Sequence, residues 1–357
     1  MVFDARYIEE VMYGRKRSAL LELILSVLSM PYRFAVALRD WGYRSGVLRT
    51  NRLPCRVISV GNLTLGGTGK TPAVMAVAEV LLRKGRKPSI LSRGYGRSAG
   101  DAVTVVSDGK GAKAGVAQSG DEPALMAARM QSVPVIVGRD RFEAGMTAVQ
   151  RFHPDTAILD DGFQHRRLKR DVDIVLIDAS DPFGNGKLFP AGILREPLAS
   201  LRRASLVLIT RTDMAADLRG LKEQIARFTK APLVSSRHAP AYLYDTATGE
   251  EKPLTALRGT AVFAFAGIAR PAAFLRLLAS LGADVRGRSV YPDHYAYAKD
   301  DLADLFQQAV DCGAVLVVTT EKDSVKLAGM APEGIWALRI DLEVAERDTW
   351  ERVITGA

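Results

Sequence analysis

A glycine-rich loop between a predicted strand and a predicted helix constrains this sequence most. Residues 57–82 read VISVGNLTLGGTGKTPAVMAVAEVLL, an apolar run, a loop that ends in Gly69-Lys70-Thr71, and a helical pattern. A P-loop places Gly, four residues and Gly-Lys-Thr/Ser at such a junction, where backbone N–H groups surround phosphate oxygens. Thr64 stands where that pattern has its first glycine. The strand-loop-helix context still predicts a nucleotide site.

Each residue type in this loop suits a different part of a bound nucleotide. The glycines allow backbone N–H groups to turn toward phosphate oxygens at the start of a helix. Lys70 would reach the β- and γ-phosphates, and Thr71 would hold Mg²⁺ through its hydroxyl. The residues predicted to bind the nucleotide are Thr64, Gly66, Gly67, Thr68, Gly69, Lys70 and Thr71.

A second stretch supplies the carboxylates that a P-loop needs for Mg²⁺. TAILDDGFQHRRL is an apolar strand that ends in Asp160-Asp161. A carboxylate at the carboxyl end of a strand is the Walker-B arrangement. The alternative, an ordinary acidic turn, is disfavoured by the neighbouring P-loop. His165 follows closely, but its spacing alone predicts no catalytic role.

The pattern after residue 55 predicts an α/β fold. Short runs rich in Val, Ile and Leu alternate with helical segments, which is typical of a P-loop NTPase-type parallel sheet with helices on both faces. Ligands of such sheets lie at the carboxyl ends of the strands. Residues 233–256 form two extended runs around a polar turn, typical of a β-hairpin linker. We predict a kinase-type domain over 1–232 and a smaller α/β domain over 233–357.

The N-terminal segment is basic and apolar. The chain carries a net charge of +9, and residues 1–56 contribute ten Lys/Arg against five Asp/Glu. SALLELILSVLSM (18–30) lies in this segment; its 13 residues are too few to cross a bilayer, which takes roughly 20. Two interpretations stay open: a helix packed on the domain, or an interfacial helix within a membrane-facing segment 1–45. Two distant cysteines, Cys55 and Cys312, fit a reducing cytoplasm.

Four more stretches carry candidate site residues, although each has an ordinary interpretation. LSRGYGR (91–97) places arginines in a glycine-rich turn, where they suit phosphate, or form a solvated loop. GDEP places Asp121 before a helix, where it could be a simple N-cap. Glu196 of ILREP suits the first turn of a helix. His294 of YPDHYAY lies among tyrosines, where most histidines are structural.

Together these stretches resemble one family, the tetraacyldisaccharide 4′-kinases of lipid A synthesis. The resemblance rests on an ordered set of motifs over residues 59–297: VGNLTLGGTGKTP, LSRGYGR, GDEP, LDDGFQHR, LFPAGILREPL and YPDHY. Each motif alone is weak, but the ordered set is specific. The family's pattern also has a non-glycine at position 64, so Thr64 does not indicate a decayed loop.

The resemblance implies the transfer of the ATP γ-phosphate to the 4′-hydroxyl of a tetraacyldisaccharide 1-phosphate. Asp121 and His294 match the family's catalytic pair, with Lys70 assisting, and Asp160, Asp161 and Glu196 match residues that help with Mg²⁺. We expect these two catalytic residues to come from different domains and to meet on domain closure. Residues expected to contact the substrate are Asn62, Ser92, Arg93, Tyr95, Arg97, Gln164, His165 and Arg195.

The same resemblance implies a partner and a location. An acylated disaccharide 1-phosphate would be met at the inner-membrane surface of a Gram-negative bacterium, on its cytoplasmic side. A basic, apolar N-terminus suits an anionic membrane face. No recognised motif supports a nucleic-acid partner, and nothing in the sequence implies an obligate protein partner.

Two other classes share the P-loop. A GTPase or ATPase switch at the membrane is the first alternative, but residues 210–213 read TRTD and lack the Asn and Lys of a guanine reader. A partitioning-type ATPase carries a signature lysine just before the Gly-Gly of its loop. Here that position is Leu65. Both alternatives are therefore disfavoured.

Overall fold

The computed structural model describes residues 4–95, 97 and 102–356, so Gly96 of the LSRGYGR motif lies outside the described residues. The strands are β1 (Arg56–Asn62), β2 (Pro88–Ser92), β3 (Val103–Asp108), β4 (Pro134–Gly138), β5 (Thr156–Asp160), β6 (Val172–Asp178), β7 (Leu206–Thr210), β8 (Leu233–Asp245), β9 (Glu251–Pro253), β10 (Ala261–Ala266), β11 (Asp284–Val290), β12 (Leu316–Thr320) and β13 (Ile335–Val344). The α-helices are α1 (Ala5–Met12), α2 (Ala19–Arg44), α3 (Lys70–Arg83), α4 (Val116–Ser119), α5 (Asp121–Arg129), α6 (Arg141–Phe152), α7 (Leu218–Ala226), α8 (Pro271–Ser280), α9 (Lys299–Asp311), α10 (Glu321–Ser324) and α11 (Arg347–Thr355).

The chain divides into two compact units. Unit 1 contains Met1–Arg93, Asp140–Arg237 and Glu343–Ala357; unit 2 contains Gly94–Arg139 and His238–Leu342. The chain therefore crosses between the units four times, whereas we predicted a single division between residues 232 and 233. The difference arises because α5 packs against β4 and α10, which keeps an early segment with a late one.

Unit 1 contains a parallel sheet in the order β8-β7-β6-β1-β5-β2. Its strands are buried along nearly their whole length, which explains why they appear in the sequence as continuous apolar runs. Helix α3 packs against the central strands β1, β2 and β5. The predicted α/β class with a parallel sheet is confirmed. The carboxyl ends of β1 and β5 therefore meet at one edge, where the P-loop and Asp160 lie.

Unit 2 contains its own parallel set in the order β11-β10-β12-β13. Strands β8 and β9 pair antiparallel, with Leu243 opposite Lys252, so the predicted hairpin is present. Strand β3 pairs antiparallel with β4. Strands β3 and β13 lack the continuous apolar run that indicates a buried strand in a sequence. VTVVSD has only half of its residues apolar, and IWALRIDLEV alternates in its second half.

The N-terminal apolar stretch is part of a helix twice as long as the 13-residue run. Helix α2 has 26 residues and is long and apolar enough to cross a membrane by length and composition alone. Only part of it packs on the protein, through Leu21 and Leu25 against Val11 of α1. A row of large apolar side chains is exposed instead. It comprises Leu20, Leu23, Ile24, Val27, Leu28, Met30, Phe34, Leu38 and Trp41.

Candidate functional site

The P-loop of unit 1 begins where β1 ends and closes at the first residue of α3. Gly66 and Gly69 have φ values of 94° and 87°, a backbone region that side-chain-bearing residues rarely adopt. Gly69 is the N-cap of α3 and Lys70 is its first residue. The loop thus needs glycine at these two positions for its path, and the start of α3 presents backbone N–H groups to an anion.

Thr64 has a structural role that explains why glycine is dispensable there. The Asn62 side-chain nitrogen donates to the Thr64 carbonyl oxygen at 2.9 Å and lies 3.4 Å from the Thr64 hydroxyl. Thr64 also forms a β-bridge with Leu194. The Gln164 side chain donates to the Asn62 carbonyl oxygen at 2.9 Å. Asn62 and Gln164, which we expected to contact substrate, therefore fasten the entrance of the loop.

Asp161 is the centre of the charged groups beside the loop. Arg195 donates to both of its carboxylate oxygens, at 2.8 and 3.1 Å, and the Lys70 ammonium lies 3.7 Å away. Burial by itself raises the pKa of Asp161, but the charges of Lys70 and Arg195 outweigh it and hold that pKa below its ordinary value. Asp161 also has φ 51°, in the left-handed backbone region that aspartate adopts more readily than most residues. The carboxylate is thus fixed and stays ionised.

Asp160 and Glu196 have different surroundings. The Ser92 hydroxyl donates to Asp160 at 2.8 Å, and both side chains are buried. Glu196 is also buried, with Arg39 at 2.6 Å and Arg203 at 2.5 Å on its two oxygens. Glu196 precedes a short 3-10 helix that begins at Leu198, so it does not lie in a first helical turn as we interpreted it. The Glu196 carboxylate is therefore paired with two arginines and is not grouped with Asp160 and Asp161.

The donor set of unit 1 fits a magnesium nucleotide. Among the described residues there is no group of three or more His, Cys, Asp and Glu side chains that could hold a metal by themselves. A magnesium ion in a nucleotide site usually takes one or two protein ligands and completes its shell with phosphates and water. The Thr68 hydroxyl is buried and has no hydrogen-bond partner in the part of the chain that the structure describes. A phosphate in the loop would provide one.

Three residues near this site have surroundings that the sequence analysis did not predict. Arg211 donates to the Gly67 carbonyl oxygen at 3.1 Å and pairs with Asp178, so it braces the loop from the end of β7. Arg141 is a buried cation on which Asp160 and Asp161 act electrostatically. Burial, assisted by Arg141, lowers the pKa of His165 to about 4, so this imidazole is neutral near pH 7. Isolated arginines after a strand carry no motif that would have singled them out.

Unit 2 contains the predicted catalytic pair. Asp121 Oδ2 and His294 Nδ1 lie 3.0 Å apart. Both residues belong to the same compact unit, so the expectation that they come from different domains was wrong. Asp121 is the first residue of α5 and Gly120 is the N-cap, which rules out the simple N-cap interpretation of Asp121. His294 has φ 64°, in the left-handed backbone region.

The surroundings of the pair are specific. Gly120 has φ 86°, and a Cβ there would lie 2.5 Å from the Tyr95 carbonyl oxygen, so only glycine permits this approach. The Tyr95 ring is 72% exposed and its centroid is 6.1 Å from that of His294. Asp121 is nearly buried, whereas the His294 side chain is 38% exposed. The pair thus combines an inner carboxylate with an imidazole that reaches solvent.

The remaining predicted substrate residues are more dispersed. Arg93 is exposed in unit 1, and Arg97 of unit 2 donates to the Thr104 hydroxyl at 3.3 Å. Arg195 is engaged with Asp161, and the Tyr32 hydroxyl donates to its carbonyl oxygen at 2.8 Å. The structure therefore brings Lys70, Asn62, Asp161 and Arg195 together in unit 1, and Tyr95, Asp121 and His294 together in unit 2.

A glycine loop that joins a buried parallel strand to a helix, with its lysine beside a carboxylate that follows a neighbouring strand, defines a P-loop nucleotide-binding protein. Its family is also shown. The chain belongs to the LpxK family, tetraacyldisaccharide-1-P 4′-kinase, whose model matches residues 21–357.

Individual relatives agree over nearly the whole chain. A tetraacyldisaccharide 4′-kinase of Anaeromyxobacter sp. (strain K) is 46% identical over 345 residues, which cover 94% of this chain and 91% of the relative. The protein of that name from Syntrophus aciditrophicus is 41% identical and covers 95% and 94%. A crystal structure described as the "apo" form of LpxK from Aquifex aeolicus in complex with ATP matches with a TM-score of 0.80. It is 33% identical, and the match covers 94% of this chain and 99% of that one.

Proposed function

We propose that this protein transfers the γ-phosphate of ATP to the 4′-hydroxyl of a tetraacyldisaccharide 1-phosphate, a lipid A precursor. The observation that carries this proposal is the contact between Asp121 and His294 at 3.0 Å. A nucleotide switch needs only a P-loop and a water-positioning group, whereas a kinase needs a base for an alcohol. Family membership supports the same acceptor.

Unit 1 is assigned to the nucleotide. The backbone from Gly66 to Gly69 and the Lys70 ammonium would surround the phosphates. Arg195 and Lys70 together would offset the negative charge on the phosphoryl group during its transfer. Thr71, Asp160 and Asp161 are the residues that would hold Mg²⁺. The ion would neutralise part of the negative charge of the phosphates. Glu196, with an arginine on each oxygen, is proposed to orient the Arg195 segment and to contribute to metal binding only indirectly.

Unit 2 is assigned to the acceptor. A sugar hydroxyl is a weak nucleophile near neutral pH, so a base must take its proton as the bond to phosphorus forms. Asp121 takes that proton, the hydroxyl oxygen bonds to the γ-phosphorus, and the bond from that phosphorus to the β–γ bridging oxygen breaks, so that ADP leaves. His294 holds the carboxylate through Nδ1 and can pass the proton to solvent because its ring is partly exposed. Tyr95, exposed beside His294, offers a ring face to a sugar.

A phosphoryl-transfer assay tests this function. Labelled γ-phosphate should move from ATP to tetraacyldisaccharide 1-phosphate, and the product should carry its new phosphate on the 4′-oxygen by NMR. GTP should compete poorly. Hydrolysis without transfer, or GTP outcompeting ATP, would instead favour the nucleotide-switch alternative.

We further propose that the exposed face of α2 lies in the cytoplasmic surface of the inner membrane. The support is the row of exposed apolar side chains, among them Leu23 at 63% and Phe34 at 70%, together with the excess of basic residues before residue 57. Apolar side chains beside basic ones are typical of interfacial helices. The acyl chains of the acceptor could then remain in the bilayer while the sugar reaches the enzyme.

Substitution tests this placement better than deletion of α2. Removing the helix would also remove Arg39 from Glu196 and Tyr32 from Arg195. Leu23→Asp with Phe34→Asp should reduce flotation with vesicles that contain anionic lipid, while kcat for a detergent-dispersed acceptor stays near that of the parent. Val310→Asp with Val315→Asp is the matched control, because both side chains are exposed in unit 2. Equal flotation of the two double variants would disprove a membrane role for α2.

A further inference from the structure

We propose that Lys326 is a positioning residue that sets the orientation of the Asp121 carboxylate and places a positive charge beside it. This inference rests on the proposed function, in which Asp121 is the base. The Lys326 ammonium lies 3.5 Å from Asp121 Oδ2, the same oxygen that His294 contacts. Neither the P-loop nor the PDHY motif includes this lysine. Lys326 belongs to the stretch TTEKDSVKL (319–327), which begins with the last two residues of strand β12.

The lysine is held by partners that leave it little freedom. Its side chain is 4% exposed, and its ammonium group donates to Asp323 at 2.9 Å and to the Gly267 carbonyl oxygen at 3.2 Å. A buried ammonium requires a counter-charge and hydrogen-bond acceptors to remain charged. Asp323 and Gly267 provide these. The charge of Lys326 is therefore fixed beside Asp121 before any substrate binds.

Asp323 is itself fixed from three directions. Its carboxylate accepts from the Gly267 backbone N–H at 3.1 Å, from the Thr320 hydroxyl at 2.7 Å and from the Tyr297 hydroxyl at 3.2 Å. The residue is fully buried. A Cβ at position 267 would lie 3.2 Å from Asp323 and 3.0 Å from the Tyr297 hydroxyl, so the glycine makes room for this arrangement. Residues at the ends of β10 and β12, together with Tyr297, thus hold the ion pair between Lys326 and Asp323.

The position of the Lys326 ammonium indicates what the ion pair between Lys326 and Asp323 does. Lys326 and His294 both approach Oδ2 of Asp121, which orients Oδ1 as the oxygen that can accept the substrate proton. The ammonium also places a positive charge beside the carboxylate that is proposed to act as the base. A lysine needed only to neutralise Asp323 would not have to lie within 3.5 Å of a second carboxylate.

The purely structural alternative can be separated by kinetics. Lys326→Met keeps most of the length of the side chain and removes its charged end. We expect kcat to fall about 10- to 100-fold at pH 7, as for the loss of a group that assists a proton transfer. The KM for ATP should change less than about twofold, because the nucleotide residues lie in unit 1. Lys299→Met removes an exposed lysine at the start of α9 and should leave kcat unchanged.

The pH profile is the readout that a structural role would not move. Lys326→Met removes the positive charge beside Asp121, so the acid limb of the kcat profile should move to higher pH and the deficit in kcat should shrink as the pH rises. Other charged groups near Asp121 stay in place in this variant. They are His294, which contacts it; Glu122 and Arg129, which share helix α5 with it; Glu321, Lys322 and Asp323 of α10, the helix that packs against α5; and Asp293 next to His294.

A double variant keeps the test decisive where Lys326→Met folds poorly. Lys326→Met with Asp323→Asn removes both charges of the buried pair, and thermal unfolding and ATP affinity report whether the fold is intact. The proposal expects this folded variant to retain the low kcat and the shifted acid limb. Recovery of kcat to within about twofold of the parent, or an unshifted limb in either variant, would overturn it.

Asp121→Asn, measured alongside, separates the two levels of the argument. An Asp121→Asn variant that keeps its kcat overturns the assignment of the base. An inactive Asp121→Asn beside a normal Lys326→Met overturns only the role of Lys326.

Discussion

The two units surround their carboxylates in different ways. In unit 1, Arg195 contacts both oxygens of Asp161 and Lys70 lies 3.7 Å from one of them. Burial raises the pKa of Asp161, but these cations hold it below its ordinary value, so the carboxylate stays ionised, which suits a ligand for a metal ion. In unit 2, the His294 imidazole and the Lys326 ammonium both approach Oδ2 of Asp121, at 3.0 and 3.5 Å. The other oxygen of Asp121 lies outside these two contacts, which suits a group that accepts a proton.

The comparison is sharpened most by the P-loop lysine. Lys70→Met should lower kcat/KM by about 10²- to 10³-fold, because it removes a charge that acts on both bound nucleotide and transferring phosphoryl. It should also weaken ATP binding, measured by calorimetry. Lys84→Met, at the end of the same helix and paired with Glu351 on the surface, is the control. If the two variants behave alike, the assignment of unit 1 to the nucleotide is wrong.

This contrast also explains what the sequence could reveal. The nucleotide residues of unit 1 lie mostly in one loop and at the end of one strand, so a contiguous motif predicts them. Asp121 and His294 are 173 residues apart, and their motifs alone were compatible with an N-cap and a structural histidine. Only the family resemblance paired them. Lys326, Arg141 and Arg211 were not predicted, because a single basic residue after a strand carries no pattern until the fold shows its neighbours.

The domain assignment failed for a related reason. Local periodicity indicates strands and helices, but it holds no information on which unit each element joins. α5 packs against α10, nearly 200 residues later in the chain, and this long-range packing keeps Asp121 in the same unit as His294. Glu196 was misinterpreted because a first-turn glutamate and a buried glutamate between two arginines look alike in sequence.

Substitution of His294 in unit 2 should have the next largest effect on catalysis. His294→Gln should lower kcat by about 10²-fold, since the carboxylate loses its orienting partner, while the KM for ATP stays within about twofold. Steady-state kinetics with each substrate varied in turn measures this split. A variant that loses ATP affinity as much as kcat would show that the two units do not divide the chemistry as we assign it.

Gly120 tests whether the approach of α5 to Tyr95 matters. Gly120→Ala forces a side chain into a left-handed region and against a carbonyl oxygen, so we expect a stability loss of about 1–3 kcal/mol and a kcat loss of about tenfold. Urea unfolding and initial rates measure the two effects. Gly115→Ala is the matched control, because a Cβ there meets nothing within 4 Å. Equal effects at both positions would refute a specific constraint at Gly120.

The smallest expected effect concerns the stability of unit 1 in acid. The His165 pKa of about 4 lies below the value of about 6.5 in an unfolded chain, so below pH 6.5 the unfolded state binds the extra proton and stability falls until pH 4. His165→Asn should remove roughly 1 kcal/mol of this loss at pH 5, after allowance for partial exposure. His153→Asn replaces an exposed histidine at the end of α6 and should leave this loss of stability unchanged. Identical pH dependence of unfolding in parent and His165→Asn would contradict the low pKa.

The central claim is that Asp121 is the base for the acceptor hydroxyl and takes no part in holding the nucleotide. Single-turnover transfer from saturating ATP to tetraacyldisaccharide 1-phosphate, followed for Asp121→Asn beside the parent, tests it most directly. We predict a rate at least about 10²-fold lower with an ATP dissociation constant within about twofold of the parent. A transfer rate within about twofold of the parent, or a loss explained by weaker ATP binding, would contradict the account.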